Sequence, residues 1–88
     1  MSAPNLRALV IDADPGVLAD VVRVLAPKGF HVATRLSPDD ALDYVRRSKP
    51  NVVLLGVPYW DQGWGAKVVA ASPGTVVVPA PRTADAAA

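Results

Sequence analysis

The chain has 88 residues, 51% of them hydrophobic, and a formal net charge of +1. That is the size of one domain, too apolar for intrinsic disorder, and its whole-molecule charge favours neither nucleic acid nor a membrane surface. With no cysteine and one histidine, disulfides, thiol catalysis and the usual zinc clusters are excluded, and no cofactor or metal is expected.

Leu6 to Ile11 is a continuous apolar run broken only by Arg7, the pattern of a strand buried on both faces. Asp14 followed by Pro15 predicts a helix start, an acceptor at the N-cap and a proline in the first turn. Val17, Leu18, Val21, Val22 and Leu25 repeat at helical spacing, and Pro27 and Gly29 end that helix. Phe30 to Leu36 reads as a second strand. Ser37-Pro38-Asp39-Asp40 repeats the helix-start signal, with two acids placed well against the helix dipole. Leu42 and Val45 then face inward with Ala41 and Tyr44 beside them, and Lys49-Pro50 closes the unit.

Val52 to Leu55 is a third strand, apolar at every position. Residues 56 to 64 (GVPYWDQGW) read as loop from their Gly, Pro and Asp content, followed by a short helix over Gly65 to Ala71. Ser72-Pro73-Gly74 is a turn, Thr75 to Val78 a fourth strand, and Pro79 and Pro81 end regular structure. One domain over residues 1–81 is expected, with 82–88 as a small, polar, mobile tail. Strands alternating with helices predict a parallel sheet with right-handed crossovers. The N-terminus carries no signal-peptide pattern, and no run approaches the ~20 apolar residues of a spanning helix. A cytoplasmic location is therefore the expectation, with no direct membrane insertion.

The series strand, DxDP, helix, strand, SPDDAL helix, PNVVLL resembles the receiver domain of two-component response regulators over about residues 5 to 82. The resemblance implies an α/β, flavodoxin-like (CheY-like) three-layer sandwich with strand order 2-1-3-4 and about three helices. Relative to that family the sheet is truncated: the fifth strand, its lysine and the last helix have no counterpart.

Receivers use two acids after the first strand to hold Mg²⁺, an aspartate after the third as phosphoacceptor, and a Thr or Ser after the fourth. Here Asp12 matches the first acid, Ala13 stands at the second, Gly56 replaces the nucleophile and Ala80 falls at the hydroxyl position. The resemblance therefore implies a degenerate phosphorylation pocket and no phosphotransfer. Asp61, five residues past Gly56, reads as a solvated loop acid. Arg46, Arg47 and Lys49 read as a solvated cluster at a helix C-terminus, and His31 as an ordinary strand residue.

What remains is surface. The fourth strand is left as a short apolar edge, and bare edges invite pairing with another chain. Part of the sheet beside the first helix is also left uncovered. Tyr59, Trp60 and Trp64, with Val76, Val77 and Val78, are the candidate interface; the alternative for the aromatics is folding over the empty acid pocket or packing on neighbouring strands. The expectation is a non-enzymatic interaction module, an accessory subunit docked on a larger protein assembly. The alternative is a homodimeric pseudo-receiver that binds a two-component kinase or transcription factor. No nucleotide-binding glycine motif and no leftover DNA-recognition element is present, so neither ligand is expected.

Overall fold

The computed structural model describes residues 6–80. The elements run β1 (Leu6–Ile11), α1 (Pro15–Leu25), a 3₁₀ turn (Ala26–Lys28), β2 (Phe30–Arg35), α2 (Pro38–Ser48), β3 (Val52–Leu55), α3 (Val57–Asp61), α4 (Trp64–Ala71) and β4 (Val76–Pro79). The four strands form one all-parallel sheet in the order β2-β1-β3-β4, the flavodoxin-like order. The tail expected over 82–88 lies outside the described residues.

Parallel strands need cover on both faces, and alternation along β1 and β3 divides the core. Leu9, Ile11, Val53 and Leu55 point to one face, where Ala41 and Val45 of α2 and Val68 of α4 seal them in. Val10 points to the other, under Val17, Leu18 and Val21 of α1. Local chemistry agrees with this placement. Asp14 Oδ1 accepts the Gly16 N–H at 2.8 Å and caps α1, with Pro15 in its first turn. Gly29 takes φ +94° and turns the chain into β2. Lys49 ends α2 in the left-handed region at φ 49°, directly before Pro50, where α-helical geometry is disfavoured.

Two ties fix the N-terminal edge of the sheet. Asn51 Oδ1 accepts the Arg7 N–H at 2.8 Å, and the Arg7 guanidinium donates to the Ser48 carbonyl at 2.8 Å, satisfying an open carbonyl at the end of α2. Thr75 Oγ1 lies 2.7 Å from Pro50 O and 2.8 Å from Ser72 Oγ, so the hydroxyl donates to the carbonyl and accepts from the serine.

The structure corrects three expectations. The stretch over 56–64 is not all loop. Gly56 is the N-cap of α3, Pro58 sits in its first turn, and Gly63 at φ +86° makes the bend into α4. Five residues are too few to show a helical period, and Gly and Pro masked the start. The described residues thus hold four α-helices rather than about three. Strand β4 is shifted one residue, with Pro79 as its last member and Thr75 buried in the preceding turn.

Candidate functional site

The C-terminal ends of the parallel strands bring the sequence-selected pocket residues into one row. The Asp12 N–H donates to Arg35 O (3.1 Å), Gly56 N–H to Ile11 O (2.7 Å) and Ala80 N–H to Leu55 O (2.8 Å). Each bond continues the ladder one step past its strand, so Asp12, Gly56 and Ala80 stand abreast. Ala13, the residue after Asp12, is exposed.

The row holds a single carboxylate, and local bonds already engage it. Asp12 Oδ1 accepts the Asp14 N–H at 2.9 Å, an Asx-type turn that leads into the Asp14 cap. The same carboxylate lies over Gly56. A Cβ built on Gly56 falls 2.7 Å from Asp12 Oδ2 and 3.2 Å from Ile11 O. Gly56 has φ −52°, open to any residue, so close approach rather than backbone conformation makes glycine fit here. The space where an acceptor side chain would begin is filled. Ala80 is 5% exposed and packs with Val10, Val17, Leu18 and Val21, its methyl a plug in the α1-side core. Among the described residues no group of three or more His, Cys, Asp or Glu converges as a metal site.

The aromatic residues separate into distinct roles. Tyr59 is half-buried, packs against the α2–α4 core, and its hydroxyl donates to Leu36 O at 2.9 Å, tying α3 to the end of β2. Trp64 packs on the same core, with Lys67 Nζ 4.3 Å from its ring centroid. Trp60 is 41% exposed. Its ring edge lies against the Gly65 position and helps line an open groove of about 450 Å³ with Ala66, Val69 and Val77. A second, smaller groove of about 320 Å³ runs between α2 and α4, with Arg46 and Lys67 beside Leu42 and two alanines. Arg47 is paired with Asp43 at 2.8 Å.

No family model, curated protein or solved structure matches this chain.

Strand β4 carries the other sequence-selected residues. Val77 faces the α4 side, while Val76 and Val78 face the α1 side, where Val76 is 57% exposed. Sequence reasoning missed their partners. The parallel register sets Val52 beside Val76 and Leu54 beside Val78, and Val52, Leu54 and Val78 are only half-buried. The signal was present: alternation puts Val52 and Leu54 on the face opposite Val53 and Leu55, but their cover depends on which helices lie there. It also missed the effect of Pro79. Val76 and Ala80 donate inward to β3, so the alternate residues Val77 and Pro79 face the free edge, and Pro79 has no N–H to offer. Among the described residues no helix is long and apolar enough to cross a membrane.

Proposed function

We propose that this chain is a non-enzymatic, receiver-like interaction module that is not phosphorylated and docks as an accessory subunit on a larger protein assembly. The observation that carries the docking reading is the incompletely covered α1-side face of β3 and β4, where Val76 is 57% exposed beside the half-buried Val52, Leu54 and Val78. A parallel sheet is stable with both faces covered, and exposed contiguous apolar surface marks interaction sites. The filled position over Gly56 supports the other half of the reading. A phosphoacceptor needs a free carboxylate beside a hard cation; this row offers one carboxylate, bonded into a turn.

The test is purification of the tagged, full-length protein at native abundance, with the size and composition of the particle measured. A stoichiometric complex with a larger protein is the expected result. Recovery of the chain alone, or covalent labelling of an aspartate by a small phosphodonor, overturns the proposal.

A further inference from the structure

We infer that two copies of this chain pair through their β2 strands, antiparallel about a two-fold axis at Val32, and join their four-stranded sheets into one. The inference goes beyond the docking reading: it concerns the opposite edge of the sheet and holds for the isolated chain.

Among the described residues the sheet has two open edges, β2 and β4, and they are built differently. Strand β4 is four residues long and ends in Pro79, so within it only the Val77 N–H is left to donate outward. Strand β2 has six residues, Phe30–Arg35, with no proline and no lysine. Its alternate positions Phe30, Val32 and Thr34 are all strand-favouring types. Natural sheets blunt their edges with short strands, prolines and lysines, and an edge that lacks them is open to another strand.

Hydrogen-bond parity sets which groups β2 offers. Arg35 O accepts the Asp12 N–H from the β1 side, so His31, Ala33 and Arg35 bond inward. Phe30, Val32 and Thr34 then turn their N–H and C=O groups to the free edge. The Arg35 guanidinium donates to Thr34 O at 2.7 Å, and that carbonyl keeps a second lone pair.

A second copy meets this edge with the same residues in reverse order. Centring the antiparallel pair on Val32 sets Val32 against Val32, and Phe30 against Thr34 in both directions. Every outward N–H of one copy then finds an outward carbonyl of the other. The side chains agree with that register. Val32 lies on the α1 side of the sheet and Ala33 on the α2 side. On the α1 side the half-buried Phe30 gains Thr34 of the second copy, an aromatic against a β-branched residue. On the α2 side His31 faces Ala33 and Arg35 faces Gly29, so no like charges are opposed. The contact is isologous and closes at two copies, which leaves the proline-ended β4 strands at both outer edges. Trp60 and Val76 stay free for a larger partner.

The test uses the isolated full-length chain. Sedimentation should give twice the 9.2 kDa of one chain. Hydrogen exchange should be at least tenfold slower at the Val32 and Thr34 amides than at the Val77 amide on the other edge. The chain has no cysteine, so Val32→Cys should give a disulfide-linked dimer under mild oxidation, and Val77→Cys should not. A hydrogen-bonded antiparallel pair holds its Cα atoms ~5.5 Å apart, within disulfide range. Val32→Pro removes the central outward donor without touching the β1 ladder and should give a monomer. A monomeric wild type with fast exchange at Val32 and Thr34 overturns the inference, even where native purification yields a larger complex and docking stands. A dimer that cross-links through position 77 overturns it too. So does protection of these amides that arises only with another protein bound.

Discussion

Asp12 Oδ2 lies 2.7 Å from the position that a Cβ on Gly56 would take. The two residues stand side by side at the ends of adjacent parallel strands, and the carboxylate of one covers the missing side chain of the other. Gly56→Ala should therefore force Asp12 aside and break its 2.9 Å bond from the Asp14 N–H. Loss of one such bond costs about 1 kcal/mol, or roughly 4–8 °C in melting temperature for a domain of this size. In an Asp12→Ala background the same change should cost clearly less, and thermal unfolding of the four proteins in the cycle measures the coupling. Equal costs in both backgrounds would show that the contact is not what selects glycine.

Gly56→Asp should destabilise more than Gly56→Ala, because it sets a second carboxylate against the first. Asp12→Asn should relieve part of the excess, and low salt should enlarge it. A more stable Gly56→Asp protein would mean that the row retains room and compensating charge for an acceptor.

The two faces of the sheet should respond differently to mutation. Leu55 is fully buried, and Leu55→Ala should cost about 3 kcal/mol through lost burial and a residual cavity. Val76→Thr, at a side chain 57% exposed, should change stability by no more than about 0.5 kcal/mol in the isolated chain. Denaturant midpoints at constant m-value provide the comparison. A Val76→Thr loss approaching that of Leu55→Ala would show that Val76 is covered in solution.

Thr75 should matter for its hydroxyl rather than its shape. Thr75→Val keeps the volume but leaves Pro50 O and Ser72 Oγ without their buried partner, at a cost of about 1–3 kcal/mol. Thr75→Ser should retain most of the stability. If valine is tolerated as well as serine, the hydroxyl network does not hold the turn before β4.

Much of this molecule was written in local sequence. Asp14-Pro15 and Ser37-Pro38 start α1 and α2 where expected, and Leu6–Ile11 and Val52–Leu55 are strands with the predicted bounds. These signals act over a few residues: a cap, a fixed φ, an unbroken apolar run. The helix α3 escaped because five residues around Pro58 carry no period, and a Gly–Pro-rich segment resembles a loop until packing decides.

The candidate site divides in the same way. The sequence alone established which chemical groups stand at Asp12, Ala13, Gly56 and Ala80, since a side chain's functional group does not depend on the fold. Tertiary structure decided that Asp12 turns over Gly56, that Tyr59 and Trp64 serve the core while Trp60 faces solvent, and that Pro79 blunts the free edge. It also decided that Val52 and Leu54, identical in kind to Val53 and Leu55, lie on the α1 side of the sheet, where they are only half-buried. Burial belongs to pairs of elements distant in the chain, and no local pattern specifies which helix covers which face.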